Sequence, residues 1–500
     1  MKSLWIDQTK DLNLDSLNED LATDVCIIGS GIFGLTTAYY LSKKGFNVIV
    51  VDKDNIGKKT SGYTTAKITS QHGLIYTYLI NSFGFDFAKK YLEANQEAIT
   101  NIENIINKEN INCDFEKQSN FVYTNSPDEL KKIEEEVDSV NSLGFRAKLV
   151  KNVNLPIKNL GGIEFENQAQ FHPRRYMLGL ANSILKNNGK IFTDTLVTNV
   201  EKESDNYITY TNTNKIISKY VVLACHYPFI NIPGFYFTKM YQDTSYVLGV
   251  KTNSKLFDGM YINAEHPTFS FRTAKYNDDK ILLFGGAGHK TGQGSDFNSS
   301  YGILEKEIKK IYPDSEILYR WNTRDCITLD KVPYIGKFSN LMPNMYVGTG
   351  FNKWGMTSSN VAANIIVDLI EGRLNKYADV FSSTRMSPIK NRWEMKNIIK
   401  ESSYSLLLNK LKESKNHFEN IKNDSGAIIE IDGIKIGIYK DQNGKIFAVK
   451  PICTHLGCLL AWNDADKTWD CPCHGSRFDY TGKNIYDPAF KNLDTFDINI

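Results

Sequence analysis

Apolar runs and polar breaks over residues 24–52 trace a single unit. Asp24-Val-Cys-Ile-Ile28 is a short apolar run, the pattern of a strand covered on both faces, and it stops directly at Gly29-Ser-Gly-Ile-Phe-Gly34. Ile32, Leu35, Ala38, Tyr39 and Leu41 then recur at helical spacing until Gly45, and Val48-Ile-Val-Val51 forms a second strand-like run that ends at Asp52. The order is strand, glycine turn, helix, strand: a βαβ unit. Helical patterns such as 86–106 and 174–187 alternate with strand-like runs such as 220–224 and 280–284 as far as about residue 385.

Beyond that point the texture changes twice. Residues 391–421 are rich in Lys, Glu, Asn and Ser, with Trp393, Ile398, Leu406, Leu407, Leu411 and Phe418 as intermittent apolar positions, which reads as a helical linker. After Ser425-Gly426, β-rich runs at 427–431, 434–439 and 446–449 are separated by Asp432-Gly433 and Asn443-Gly444, strong hairpin signals. The chain is therefore expected to divide into 1–385, a linker at 386–424 and a small all-β domain at 425–500. At 500 residues, 41% hydrophobic and 23% charged, it has enough apolar material for two or three folded units. Its 59 Lys+Arg nearly cancel 57 Asp+Glu, so no overall field favours nucleic acid, and Lys-rich 396–422 is interleaved with glutamates. The N-terminus lacks the basic-then-apolar order of a signal peptide and no apolar run reaches about eighteen residues, so a cytoplasmic chain with no membrane span is expected.

Gly29, Gly31 and Gly34 fit G-x-G-x-x-G between a strand and a helix, with Asp52 at the end of the second strand. The pattern suits a dinucleotide: the glycines let the backbone approach a pyrophosphate at a helix N-terminus, and Asp52 accepts from a ribose hydroxyl. A second glycine-rich run, Gly285 to Gly294, has His289 before Lys290 where a Walker loop needs Gly, and reads as a turn after a strand. Further segments carry a resemblance. Gly57-Lys-Lys-Thr-Ser-Gly-Tyr-Thr-Thr-Ala-Lys67, Tyr220-Val-Val-Leu-Ala-Cys-His226, Val332-Pro-Tyr-Ile-Gly336 and Tyr346-Val-Gly-Thr-Gly-Phe-Asn-Lys-Trp-Gly-Met-Thr357 resemble the D-amino-acid-oxidase type of FAD-dependent oxidoreductase, the glycine- and sarcosine-oxidase-like group, over about residues 20–385. The resemblance implies an α/β (α+β) Rossmann-like FAD-binding fold with an interleaved antiparallel-sheet substrate domain. It adds Lys53, Thr64, Thr65 and Ala66 to the FAD site. Gly350, Gly355, Met356 and Thr357 match the segment that opens a late helix facing the flavin pyrimidine. Covalent flavin attachment is not expected, because Cys326 lies a few residues from the position used by some members.

Of eight cysteines, Cys26, Cys113, Cys225 and Cys326 stand singly in apolar settings, as inert buried thiols do. Cys453, Cys458, Cys471 and Cys473 crowd together with His455 and His474. The pattern is C-x-H, a fifteen-residue gap, then C-x-x-H. Two thiolates and two imidazoles suit a [2Fe–2S] centre with His₂ replacing Cys₂ on one iron. They also suit zinc, although zinc leaves the extra cysteine pair and the flanking hairpins without explanation. The whole final domain, through Gly475-Ser-Arg-Phe-Asp479, Gly482 and Pro488-Ala489, resembles Rieske domains of the cytochrome bc type. That resemblance implies Cys453 and Cys471 on one iron, His455 and His474 on the other, and a Cys458–Cys473 disulfide between the two loops. It also marks a departure: Phe478 stands where those domains carry a Tyr that donates to a ligand sulfur, while Ser476 keeps its donor, so a lowered potential is expected.

A flavin exchanges one or two electrons and this cluster one, so the expected activity is a dehydrogenase acting on a small amine or amino acid at a C–N bond, drained singly to an external carrier. Candidate catalytic residues are Arg272, Lys353 and Asp325. Glycine oxidases carry an Arg before Pro-Tyr-Ile-Gly that grips the substrate carboxylate. Counting back from Pro333 gives Asp325, whose reversed sign points to a cationic amine, whereas a shift by one residue gives Arg324. His72 and His226 read as neutral core or capping histidines, and Trp354 joins Lys353 beside the late glycines. A Rieske oxygenase is disfavoured, because no close His pair remains for a mononuclear iron. A redox relay or sensor without an organic substrate stays open as the alternative.

Overall fold

The computed structural model describes residues 2–292, 298–385, 421–431 and 433–496. Leu21–Ile28 pairs in parallel with Val48–Val51 and with Lys215–Leu223; Lys190–Phe192 and Met342–Thr349 extend the parallel set, and Tyr334–Ser339 closes one edge antiparallel. Period-two alternation gives each face its own core. Val25, Ile27, Val48, Val50 and Val222 pack with Leu35 and Ala38 of helix Ile32–Lys43, whereas Cys26, Ile28, Ile49, Val51, Val221 and Leu223 pack on the other side. Full burial of each such aliphatic side chain is worth roughly 1.5–3 kcal/mol, enough to fix where the strand ends point.

The chain crosses repeatedly into a second, nine-stranded sheet. In it Met240–Lys251 lies antiparallel between Asp279–Lys290 and Glu316–Thr328. The run expected as a turn after residue 284 is instead strand as far as Lys290, so Gly285 and Gly286 are ladder positions on a cavity wall. The patterns at 86–106 and 174–187 are helices Phe85–Glu109 and Pro173–Lys186, the second capped by His172, which accepts from the Arg175 N–H.

Two four-stranded antiparallel sheets make up the C-terminal unit: 425–431, 434–440, 446–449 and 495–496, then 461–463, 468–470, 477–479 and 484–486. Both expected hairpins are present, with Ile431 opposite Ile434 and Lys440 opposite Ile446. The helical linker falls mainly on 386–420, outside the described residues. Among the described residues no helix is long and apolar enough to cross a membrane.

Candidate redox site

A cavity of about 390 Å³ runs from the glycine turn to the second sheet. At one end, Gly31 caps helix Ile32–Lys43 without a side-chain bond of its own, and the Ile32 N–H of the first turn donates to the Ser61 hydroxyl at 3.2 Å. Gly34 is obligatory here: a Cβ would stand 1.9 Å from the Gly29 carbonyl oxygen. Asp52 sits at the end of its strand and accepts from the Ser30 N–H at 2.6 Å and the Ser30 hydroxyl at 2.7 Å. Burial pushes this carboxyl upward, and those donors oppose the shift. Gly29, Gly31, Asp52, Lys53, Thr64 and Thr65 line the cavity, but the Lys53 ammonium is engaged by Asp487, 2.6 Å away. Ala66 lies behind the wall at φ +56°.

Arg272 corrects its expected role. It is not among the side chains on this wall; it is buried and donates to the Thr65 and Ala66 carbonyls at 2.7 and 2.8 Å, holding the strained segment from behind. Gly355 and Met356 line the cavity at the uncapped start of helix Gly355–Ile370. Gly350 supplies a turn at φ +69°, and Thr357 is buried, donating to the Thr69 carbonyl at 3.2 Å. His72 stacks on Trp354, 5.0 Å between ring centroids, and burial holds it neutral at about 3. His226 is likewise neutral, pushed to about 4 by burial.

Strands 240–251 and 316–328 form a partition. Asp243, Ser245, Thr323 and Asp325 face the cavity, with Asp243 opposite Asp325 and Ser245 opposite Thr323. Alternation turns Gln242, Thr244, Asn322 and Arg324 the other way. Arg324 therefore stacks on Tyr486 of the C-terminal unit, 4.4 Å away, and the cavity holds Asp325. Lys353 bonds Asp243 at 2.6 Å and Ser245 at 2.8 Å. Asp325 receives no hydrogen bond from the described residues. Burial pushes its carboxyl to about 6, with Asp243 adding to the shift and Lys353 opposing it.

The C-terminal unit rests on the far side of this partition. Gly475, at φ +84°, lies so close to Gln242 that a Cβ would meet its side chain at 2.6 Å. Cys453 and Cys471 are buried free thiols within bonding reach of one another, and the contact between them lowers the Cys453 thiol while raising that of Cys471. The His455 and His474 rings are 5.1 Å apart, and burial keeps them neutral at about 4 and 3. Both Nδ1 atoms are buried without a partner. The outer nitrogens are occupied: His455 Nε2 meets Asn231 Oδ1 at 2.8 Å, and His474 bonds the Phe237 backbone carbonyl. Two thiols, two partnerless imidazole nitrogens and satisfied outer nitrogens fit a metal-cluster donor set with its supporting hydrogen bonds. Ser476 bonds Cys453, and Cys458 and Cys473 form the disulfide between the two loops.

Residues 24–369 match the FAD dependent oxidoreductase family model. The chain belongs to the FAD-dependent oxidoreductase family. Residues 415–497 of this oxidoreductase match the Rieske [2Fe-2S] domain. Over 498 residues it is 36% identical to YhfW of Bacillus subtilis, named as a Rieske 2Fe-2S iron-sulfur protein, a match spanning 100% of this chain and 98% of that one. It is 22% identical to gamma-glutamylputrescine oxidoreductase of Escherichia coli, over 74% of this chain and 88% of that protein. Glycine oxidase from Geobacillus kaustophilus shares the fold at TM-score 0.62 and 15% identity, covering 73% of this chain and 99% of its own. The FAD-dependent oxidoreductase thus binds FAD and a Rieske [2Fe–2S] cluster. Sequence reasoning missed Asp243, Ser245, Asn231 and Lys67. Lys67 lines the cavity, bonded to the Tyr261 carbonyl at 2.8 Å and to Ser270, and burial, aided by Arg272, lowers it to about 7.

Proposed function

We propose that the protein oxidises a small, positively charged amine at a C–N bond and passes the electrons singly, by way of the cluster, to an external carrier. The observation that carries the substrate class is the cavity's charge. At the end built by strands 240–251 and 316–328 its wall holds Asp243 and Asp325; Lys53, Lys58, Lys59, Lys67 and Lys353 also line the cavity but each is already bonded within the protein, and among the described lining residues there is no arginine. An ammonium group fits opposite Asp325, whereas an α-carboxylate has no guanidinium to meet it. The Escherichia coli relative, named for a putrescine derivative, supports an amine substrate.

Bound FAD supplies the hydride acceptor for such an oxidation, and the cluster supplies a one-electron acceptor. The protein's own residues do the rest. Gly29, Gly31, Gly34 and Asp52 would hold the adenosine half, and the uncapped helix start at Gly355 offers N–H groups toward the flavin end. Lys67, lowered to about 7, accepts the proton that the amine loses before its carbon is oxidised. Cys453, Cys471 and the Nδ1 atoms of His455 and His474 would hold the cluster. Tyr227 supports direct communication between the two sites, since it lines the cavity and packs edge-on to His474 at 6.5 Å.

Anaerobic addition of diamines and monoamines, set against zwitterionic amino acids, tests this reading through flavin absorbance and the cluster's EPR signal. Cationic amines are expected to bleach the flavin and then raise the cluster signal. Bleaching by simple amino acids alone overturns the substrate class. Bleaching by no organic compound, with cluster reduction by a one-electron donor, restores the relay reading.

A further inference from the structure

The Rieske half enters the flavin cavity itself. Past Asn484, residues Ile485-Tyr-Asp-Pro-Ala-Phe490 cross the dinucleotide end, and Asp487 and Phe490 line the same cavity as Gly29, Gly31 and Asp52. Three contacts pin this segment. The Asp487 carboxylate pairs with Lys53 at 2.6 Å, its backbone carbonyl accepts from Gln242 Nε2 at 3.2 Å, and the Ile485 carbonyl accepts from Lys59 Nζ at 2.8 Å. Both lysines belong to the loop that forms the dinucleotide site. Lys53 follows Asp52 directly. Lys59 precedes the 60–62 turn, whose Ser61 hydroxyl accepts from the Ile32 N–H at 3.2 Å, at the helix N-terminus.

We propose that residues 485–490 of the Rieske unit are a clasp over the adenosine-diphosphate half of FAD, so that FAD leaves only when the Rieske unit lifts from its seat. A carboxylate beside a pyrophosphate is repelled unless it is paired, and Lys53 provides that pairing. The clasp also accounts for the Lys53 ammonium, which lines the cavity, being engaged there by Asp487. Retention of FAD and seating of the cluster are then one event: the wall that closes the flavin site belongs to the unit that carries the cluster ligands. Ala489 ties the two further, donating its N–H to Ser476 Oγ at 3.0 Å, and Ser476 in turn bonds Cys453.

The test follows the appearance of free-FAD fluorescence after dilution of the fully loaded protein, with the Rieske EPR spectrum as the check on the second unit. Asp487→Asn and Lys53→Met are each expected to speed FAD release about tenfold, by breaking a half-buried charge-assisted bond, and the double variant is expected to release no faster than the faster single. Phe490→Ala, which leaves every charge in place, is expected to speed release with the cluster spectrum intact. Unchanged release in Asp487→Asn and Phe490→Ala overturns the clasp. So does multiplication of the two single effects in the double variant, because Lys53 and Asp487 would then act on FAD separately.

Discussion

Asp325 and Arg324 are neighbours with opposite fates, and strand alternation decides between them. Thr323 and Asp325 face the cavity while Asn322 and Arg324 face the Rieske unit, so the carboxylate lines the cavity and the guanidinium meets Tyr486. Asp325→Asn keeps the shape and removes the charge. Losing one charge-assisted contact of ~1.5–3 kcal/mol should raise KM for a cationic amine by about ten- to a hundredfold, while a neutral amine is little affected; steady-state kinetics on the pair checks this. Because burial raises Asp325 to about 6, its charge is present above that pH and lost below it. Amine affinity should therefore weaken as pH falls through about 6, and this step should vanish in Asp325→Asn. The sequence made Asp325 legible through its distance from Pro333. It could not show Asp243, because no local pattern reveals which strand lies opposite 316–328, nor the inward course of Arg272, whose partners are the carbonyls of Thr65 and Ala66, some two hundred residues away.

At the scale of elements, the segment after strand Lys215–Leu223 does two tasks. His226 and Tyr227 line the cavity, while Asn231 and Phe237 accept from the outer nitrogens of His455 and His474. The proposed cluster ligands could be read from local spacing together with the Rieske resemblance, since C-x-H and C-x-x-H are short motifs. Their supporting acceptors were not, because they arrive from another sheet. Accepting from a ligand imidazole makes it a stronger donor and favours ferric iron. Asn231→Ala should therefore raise the cluster midpoint; about 1 kcal/mol of lost bonding corresponds to roughly 40 mV for one electron. Phe478 is fully buried in the core that holds Cys453 and Cys471. Phe478→Tyr should also raise the midpoint, here because a new donor to sulfur favours the reduced form. Voltammetry of the two variants checks both signs, and an unchanged or lowered value in either removes the corresponding bond from the account.

For the whole molecule, the sheet shared by strands 240–251 and 316–328 separates two chemistries while touching both. Its polar residues on each face, Gln242, Thr244, Asn322 and Arg324 against Asp243, Ser245, Thr323 and Asp325, carry no apolar alternation, so the sequence gives no sign that both faces are covered. The two redox units were readable as motifs; their seating was not, because it rests on scattered polar contacts rather than on an apolar patch. One such contact offers a clean perturbation. Asn322 Nδ2 donates to both oxygens of Asp466, at 2.8 and 3.0 Å, across the seam. Asn322→Asp keeps the size and places two carboxylates against each other, converting an attraction into a repulsion where water is scarce. The pair of Arg477 with Asp466, at 2.7 Å within the Rieske unit, is left in place. In protein kept saturated with FAD, flavin bleaching by substrate should proceed at its usual rate, since Asn322 faces away from the cavity. Subsequent reduction of the cluster should slow by about tenfold, because the looser seam holds the His474–Tyr227 contact for a smaller share of the time. Stopped-flow absorbance with freeze-quench EPR separates the two phases, and a cluster phase as fast as that of the unaltered protein would show that the seam does not control the electron's passage.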